Sequence, residues 1–296
     1  MIEFLVYSGI GLLAGLLGGL LGIGGSTIIL PALLISGPLT GNPYTGRLQH
    51  LYQAAAMICN FAIALPGAFA HFRAKAILSR VVVRLVPAAL AGIFGGVALS
   101  NTAWFAGGRG RYLAYLLSGF FLYVVTYNLH RIFSSKDLSH RFDPQRTWST
   151  WRVVLLGTPA GLLAGLLGIG GGLVLVPGQQ VFLSMPLRHA IANSATTICF
   201  TAAVGATYKV LSLGQHGYSA CDALRLAGAL APTAVVAGYI GGRLAHRLPR
   251  KLLRLVFVIF MSIAAVQTFR KAAGAAGEGP GGGPEAPLSS TESGQP

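Results

Sequence analysis

Two glycine-rich runs, 146 positions apart, carry the residue types with most chemistry to offer. Gly15 to Pro31 reads GLLGGLLGIGGSTIILP and Gly161 to Pro177 reads GLLAGLLGIGGGLVLVP. Gly22, Gly24, Gly25 and Pro31 fall on Gly168, Gly170, Gly171 and Pro177. Glycine inside a helix costs about 1 kcal/mol relative to Ala, so each cluster marks a place where a helix stops and restarts. A restarting helix exposes unpaired N–H groups and about half a positive charge on its first turn. Such an end binds anions. The expected donors are Gly24, Gly25, Ser26 and Thr27 in the first copy, and Gly170, Gly171 and Gly172 in the second. Gly172 stands where the first copy has Ser26, so the cradle is expected to be asymmetric.

Side chains near these runs extend the same chemistry. Gln53 and Asn193 are equivalent at an offset of 140 and, with Ser194 and Thr197, suit donation to an anion. Hydrogen bonding between helices is the plain alternative for each. His50 and His189 have the type to carry protons in a coupled cycle; polar residues near the interface is their bland reading. Cys59 and Cys199 match at the same offset, and packing as small residues explains them better than contact with substrate. All seven acidic residues, Glu3, Asp137, Asp143, Asp222, Glu278, Glu285 and Glu292, lie in connections, ends or the tail. Cation transporters usually keep a carboxylate in mid-span, so the expected permeant is an anion. No nucleophile or metal constellation is visible. The chain is expected to be no enzyme and to hold no cofactor and no metal.

The elements that position these residues are membrane helices. Of 296 residues 53% are hydrophobic and 10% charged, against about 25% charged in soluble domains. Residues 4–36 and 153–185 are nearly all apolar around their glycine breaks. A straight helix of that length would run about 50 Å against about 30 Å of hydrocarbon. Each is either a tilted broken helix or a re-entrant hairpin of two half-helices. Ordinary spans are expected at about 48–70, 82–100, 112–132, 188–211, 223–245 and 252–270. Outside the breaks, Gly15–Gly19 and Gly161–Gly165 have the GxxxG spacing that lets helices approach closely. A dinucleotide fingerprint fits poorly, since no strand–turn–helix unit surrounds the glycines.

The halves match further along. Gly92, Gly95 and Gly96 align with Gly238, Gly241 and Gly242. The division is residues 1–133 as first membrane repeat, 134–150 as polar linker, 151–271 as second repeat and 272–296 as a disordered tail. The 22 Lys and Arg give most of the net charge of +15 and sit mainly in connections. Lipid headgroups and topology explain them, and no nucleic acid is expected as a partner. If the glycine segments are hairpins the halves are inverted, and the basic residues divide 15 against 7 between the two sides. If each segment crosses once the division is 13 against 9. The positive-inside rule favours the inverted arrangement, with both termini outside.

GLLGIGGSTIILP, GLLGIGGGLVLVP, the polar start PLRHAIANSATT and the two GxxGG segments resemble the sulfite exporter TauE/SafE family of membrane transporters. The resemblance covers residues 4–270. It implies an all-α, multi-pass protein of the bacterial inner membrane that moves a small sulfur-containing or organic anion, such as sulfite, thiosulfate, sulfoacetate or another sulfonate. LQHLYQAAA departs from the family's small-residue, Ser/Thr-rich start in the first half. The expectation is a secondary transporter working by alternating access. A passive anion channel and a non-transporting anchor or sensor subunit are the alternatives. Membrane lipid and the anion are the expected partners, and a homo-oligomer stays open.

Overall fold

A computed structural model describes residues 2–36, 48–102, 104, 111–133, 148–244, 249 and a set of positions between 252 and 273. The polar linker through residue 147 and the tail after 273 lie outside the described residues. The helices are α1 Ile2–Leu21, α2 Ser26–Ser36, α3 Leu48–Arg73, α4 Ser79–Ser100, α5 Arg111–Phe133, α6 Thr150–Leu167, α7 Gly172–Phe182, α8 Leu187–Ser212 and α9 Ala220–Leu244. A 3-10 turn, Leu213–His216, links α8 to α9. Helical positions recur between 252 and 270, and no strand occurs among the described residues.

Six of these helices are long and apolar enough to cross a membrane. Burial departs from that of a soluble protein, with large apolar side chains outside and several polar groups inside the apolar core. Gln49, Gln53, Asn60, Asn193, Ser194 and Thr197 are fully buried, while Phe94, Leu122, Phe200 and Val236 are more than half exposed. Hydrocarbon around the molecule removes any drive to hide apolar side chains, leaving polar groups to be buried inside. This is an all-α polytopic membrane protein.

Glycine sets two tight helix pairs. A Cβ on Gly11, Gly15 or Gly19 of α1 would strike the carbonyl of Leu230, Ala234 or Gly238 on α9. On α6, Gly161 and Gly165 meet the carbonyls of Ala89 and Ile93 on α4 in the same way. Both pairs therefore run parallel. Gly96 meets the Leu162 carbonyl and Gly241 meets that of Leu16. These glycines thus correspond at an offset of 145, one less than the sequence alignment of the GxxGG segments suggests. Backbone contact fixes the register here, and the connections ahead of the helices absorb the difference.

Cross-contacts give the remaining directions. Lys209 of α8 reaches Gln53 of α3, and Gly205 backs onto Met57, so α3 and α8 are antiparallel. Gly205 also meets Ile93, and Lys209 meets Ser100, so α8 is parallel to α4. Gly238 sits on Ile63 and Gly242 on Ala70, which makes α9 parallel to α3. Hence α1, α3 and α9 point one way, and α4, α6 and α8 the other. Consecutive α1 and α3 share a direction, so the chain returns between them; α6 and α8 repeat this upside down. Outside this core, α5 lies against the helical positions near the C-terminus, where Ser118 Oγ donates to the Ala265 carbonyl at 2.9 Å.

Candidate functional site

The site starts at the two breaks. Gly22, Gly24, Gly168, Gly170 and Gly171 have φ between 62° and 82°, where an L side chain costs about 1–2 kcal/mol. These turns fold the chain back on itself. A Cβ on Gly25 would lie 3.4 Å from the Ala14 carbonyl, and one on Gly171 3.2 Å from that of Ala160. Each residue thus sits beside the helix the chain has just left. The new helices start at once. The Gly25 carbonyl accepts from the N–H groups of Ile28 and Ile29, both at 2.9 Å. The Gly171 carbonyl accepts from Val174 at 3.1 Å and Leu175 at 3.0 Å. Ser26 and Thr27 therefore lead α2, and Gly172 and Leu173 lead α7, with N–H groups that have no intrahelical acceptor.

The two breaks touch. A Cβ on Gly172 would lie 2.5 Å from the backbone of Ile23. Gly22 backs onto Ile191 of α8, and Gly168 onto the side chain of Gln53 on α3. Asn60, in the middle of α3, fills the space between Gly24 and Gly170, so closely that a Cβ on either would overlap its amide. The Ser26 hydroxyl lies 3.5 Å from the Cβ position of Gly170. Asn60, Ser26 and Thr27 have no exposed surface, and their polar side-chain atoms find no hydrogen-bond partner among the described residues. A buried polar group left unpaired costs about 1–3 kcal/mol. Where the halves cross, the protein keeps unused donors and acceptors beside two helix N-termini.

The other sequence-derived candidates divide between two flanks of this junction. Gln53 donates its Nε2 to the Leu166 carbonyl at 3.4 Å and accepts from Lys209 Nζ at 2.7 Å through Oε1. The His50 ring stacks on His216, with centroids 3.6 Å apart and planes at 5°. On the opposite flank the Asn193 amide oxygen accepts the Leu78 N–H at 2.8 Å, and its Nδ2 donates to Gln179 Oε1 at 3.0 Å. His189 Nδ1 lies 2.8 Å from the Ala76 carbonyl. Thr197 donates to the Asn193 carbonyl within its own helix at 2.8 Å. The Ser194 hydroxyl is buried with no partner among the described residues. Cys59 sits in contact with the Ala227 carbonyl of α9, and Cys199 lies among Ala64, Ile198 and Ala202. The structure thus brings both glycine breaks and Ser26 together, while Asn193 and His189 tie α8 to the turn between α3 and α4.

Two residues of this arrangement escape a reading by repeats. Asn60 is the one amide in the apolar stretch AAAMICNFAIAL, a signal in itself. Lys209 sits three residues before the end of α8 and reads as an interfacial flank, yet its side chain is buried. Among the described residues no group of three His, Cys, Asp or Glu side chains is placed to hold a metal. A groove of about 760 Å³ between α4 and α8, lined by Phe94, Ala98, Val204 and Leu211, is apolar and includes no residue of the junction.

Residues 7–268 match the family described as Sulfite exporter TauE/SafE. The chain belongs to the TauE/SafE family. The match takes in both breaks, Asn60 and Lys209. Among its relatives, MamO of Magnetospirillum gryphiswaldense, described as a probable membrane transporter protein, is 33% identical over 117 residues, or 39% of this chain. That match spans only 18% of MamO. YdhB of Bacillus subtilis, likewise described as a probable membrane transporter protein, is 25% identical over 259 residues, 86% of this chain and 95% of YdhB. A protein of the same description from Methanocaldococcus jannaschii is 24% identical over 210 residues, covering 71% and 73% of the two chains. No solved structure matches this TauE/SafE chain.

Proposed function

We propose that this TauE/SafE protein is a secondary transporter of a small sulfur-containing or organic anion across the cell inner membrane, and no enzyme. Sulfite, thiosulfate, sulfoacetate and other sulfonates are the substrate class. One observation carries the reading: Asn60 and the Ser26 and Thr27 hydroxyls are buried without partners where two helix N-termini meet. Helix N-termini favour negative charge. Amide and hydroxyl groups supply further donors without a proton to lose at neutral pH.

The shared directions of α1 and α3, and of α6 and α8, support glycine segments that enter and leave on one side. The halves are then inverted repeats, and rocking one against the other exposes the junction to each side in turn. The side rich in Lys and Arg, with 15 of the 22, is cytoplasmic. Flux of labelled sulfite or sulfoacetate into proteoliposomes tests the reading. Asn60→Leu keeps the side chain's size and removes its hydrogen-bonding groups. The expected result is at least a tenfold fall in flux, given about 1.5–3 kcal/mol for a hydrogen bond to a charged group. Unchanged flux by folded Asn60→Leu protein overturns the site. Wild-type flux that never saturates makes the protein a passive anion channel, and absence of flux makes it an anchor or sensor subunit.

A further inference from the structure

Beside the junction the structure holds a buried lysine with no opposite charge against it among the described residues. Lys209 is 1% exposed. Its Nζ donates to Gln53 Oε1 at 2.7 Å and to Ser100 Oγ at 2.5 Å, both neutral groups. An ammonium has three donors, and the third has no acceptor among the described residues. The acidic side chains described are Glu3, which is exposed, and Asp222, whose carboxylate bonds Ser219 instead. A buried charge without a partner is far more costly than a buried polar group, and more so at membrane depth. The side chain does not run out towards an interface; its two bonds hold it inward, between α3 and α4.

Its surroundings point to the second break. Gln53 bonds Lys209 through one end of its amide and the last turn of α6, at Leu166, through the other. The carbons of the same side chain press on Gly168. Gln49 lies one turn before Gln53 on the same face of α3. It is fully buried, and both its amide atoms are unpartnered among the described residues. Further out, His216 lies 3.4 Å from Asn101 Oδ1 and stacks on His50.

We propose that Lys209 is the counter-charge for the transported anion, holding it with Gln49 and Gln53 at a second station beside the glycine junction and selecting it by net charge. This rests on the anion reading above. A zwitterion such as taurine brings its own cation and gains little at this station, whereas a sulfonate with a second negative group gains fully.

Thermal unfolding of the full-length protein in detergent, titrated with sulfoacetate and with taurine, tests it. Lys209→Met removes the charge and the hydrogen bonds; Lys209→Gln removes the charge and keeps a donor. Both variants are expected to need about tenfold more sulfoacetate, or more, for the wild-type shift, and to lose the preference over taurine. Without anion, Lys209→Met is expected to unfold above wild type, because an uncompensated charge has left the interior. A merely structural lysine would lower that temperature and leave the sulfoacetate midpoint where it was. An unchanged midpoint in the folded variants overturns the inference and leaves the junction standing. A wild type that responds to no anion overturns both.

Discussion

Gln53 and Asn193 match at an offset of 140 in the sequence and have different surroundings in the fold. Asn193 is saturated: its amide joins Leu78, Gln179 and Met185, and locks the start of α8 to α7 and to the turn after α3. Gln53 accepts from the buried Lys209, whose third donor has no acceptor among the described residues, and Gln49 nearby is likewise unpartnered among them. The breaks differ in the same direction. Ser26 and Thr27 put hydroxyls on the first turn of α2, whereas Gly172 and Leu173 put none on α7. Duplication supplies a near-symmetric backbone, two glycine turns and two tight helix pairs. Among the described residues, Ser26, Thr27 and Asn60 at the first break and Gln49 on the Gln53 flank are buried without partners, while Ser194 and Gln180 are the unpartnered groups on the Asn193 side. One flank holds helices together; the other, on the proposal above, holds a charge.

The largest effect that sharpens this contrast belongs to Asn193. Asn193→Ala strands the Leu78 N–H and Gln179 Oε1, and is expected to cost about 1–3 kcal/mol of stability. Its sulfoacetate midpoint is expected to stay within twofold of wild type once the protein is folded. Thermal unfolding with and without anion reads both quantities. A loss of anion response without a loss of stability would reverse the assignment of the two flanks. A smaller effect belongs to the breaks. Ser26→Gly makes the first break like the second and removes one hydroxyl donor. A rise of about three- to tenfold in the flux KM is expected, with little change in unfolding temperature. An unchanged KM would mean that the first break works through its backbone alone.

Much of this is legible in the sequence, because backbone demands write themselves in glycine. The two breaks, their 146-residue spacing and the all-α membrane architecture need only the positions of Gly, the apolar runs and the shortage of charge. Asn60 is harder to see, since its role comes from sitting between Gly24 and Gly170, which lie in different halves. Lys209 is harder still. Its place near a helix end suggests an interface, and only the contact of α8 with α3 and α4 turns it inward. The absence of a serine at 172 has a steric cause that the alignment hides, because a Cβ there would press on Ile23. Asn193 looks like a donor for substrate until its three partners are known.

The central claim is that an anion sits where the two breaks cross. Selenite has the charge and shape of sulfite and scatters X-rays anomalously, so a crystal of the protein grown with selenite would locate it. The account predicts a selenium peak at the junction, within hydrogen-bond reach of the Asn60 amide and the first turn of α2. A peak found only on the outer surface, with the junction empty in protein that transports sulfite, would contradict it.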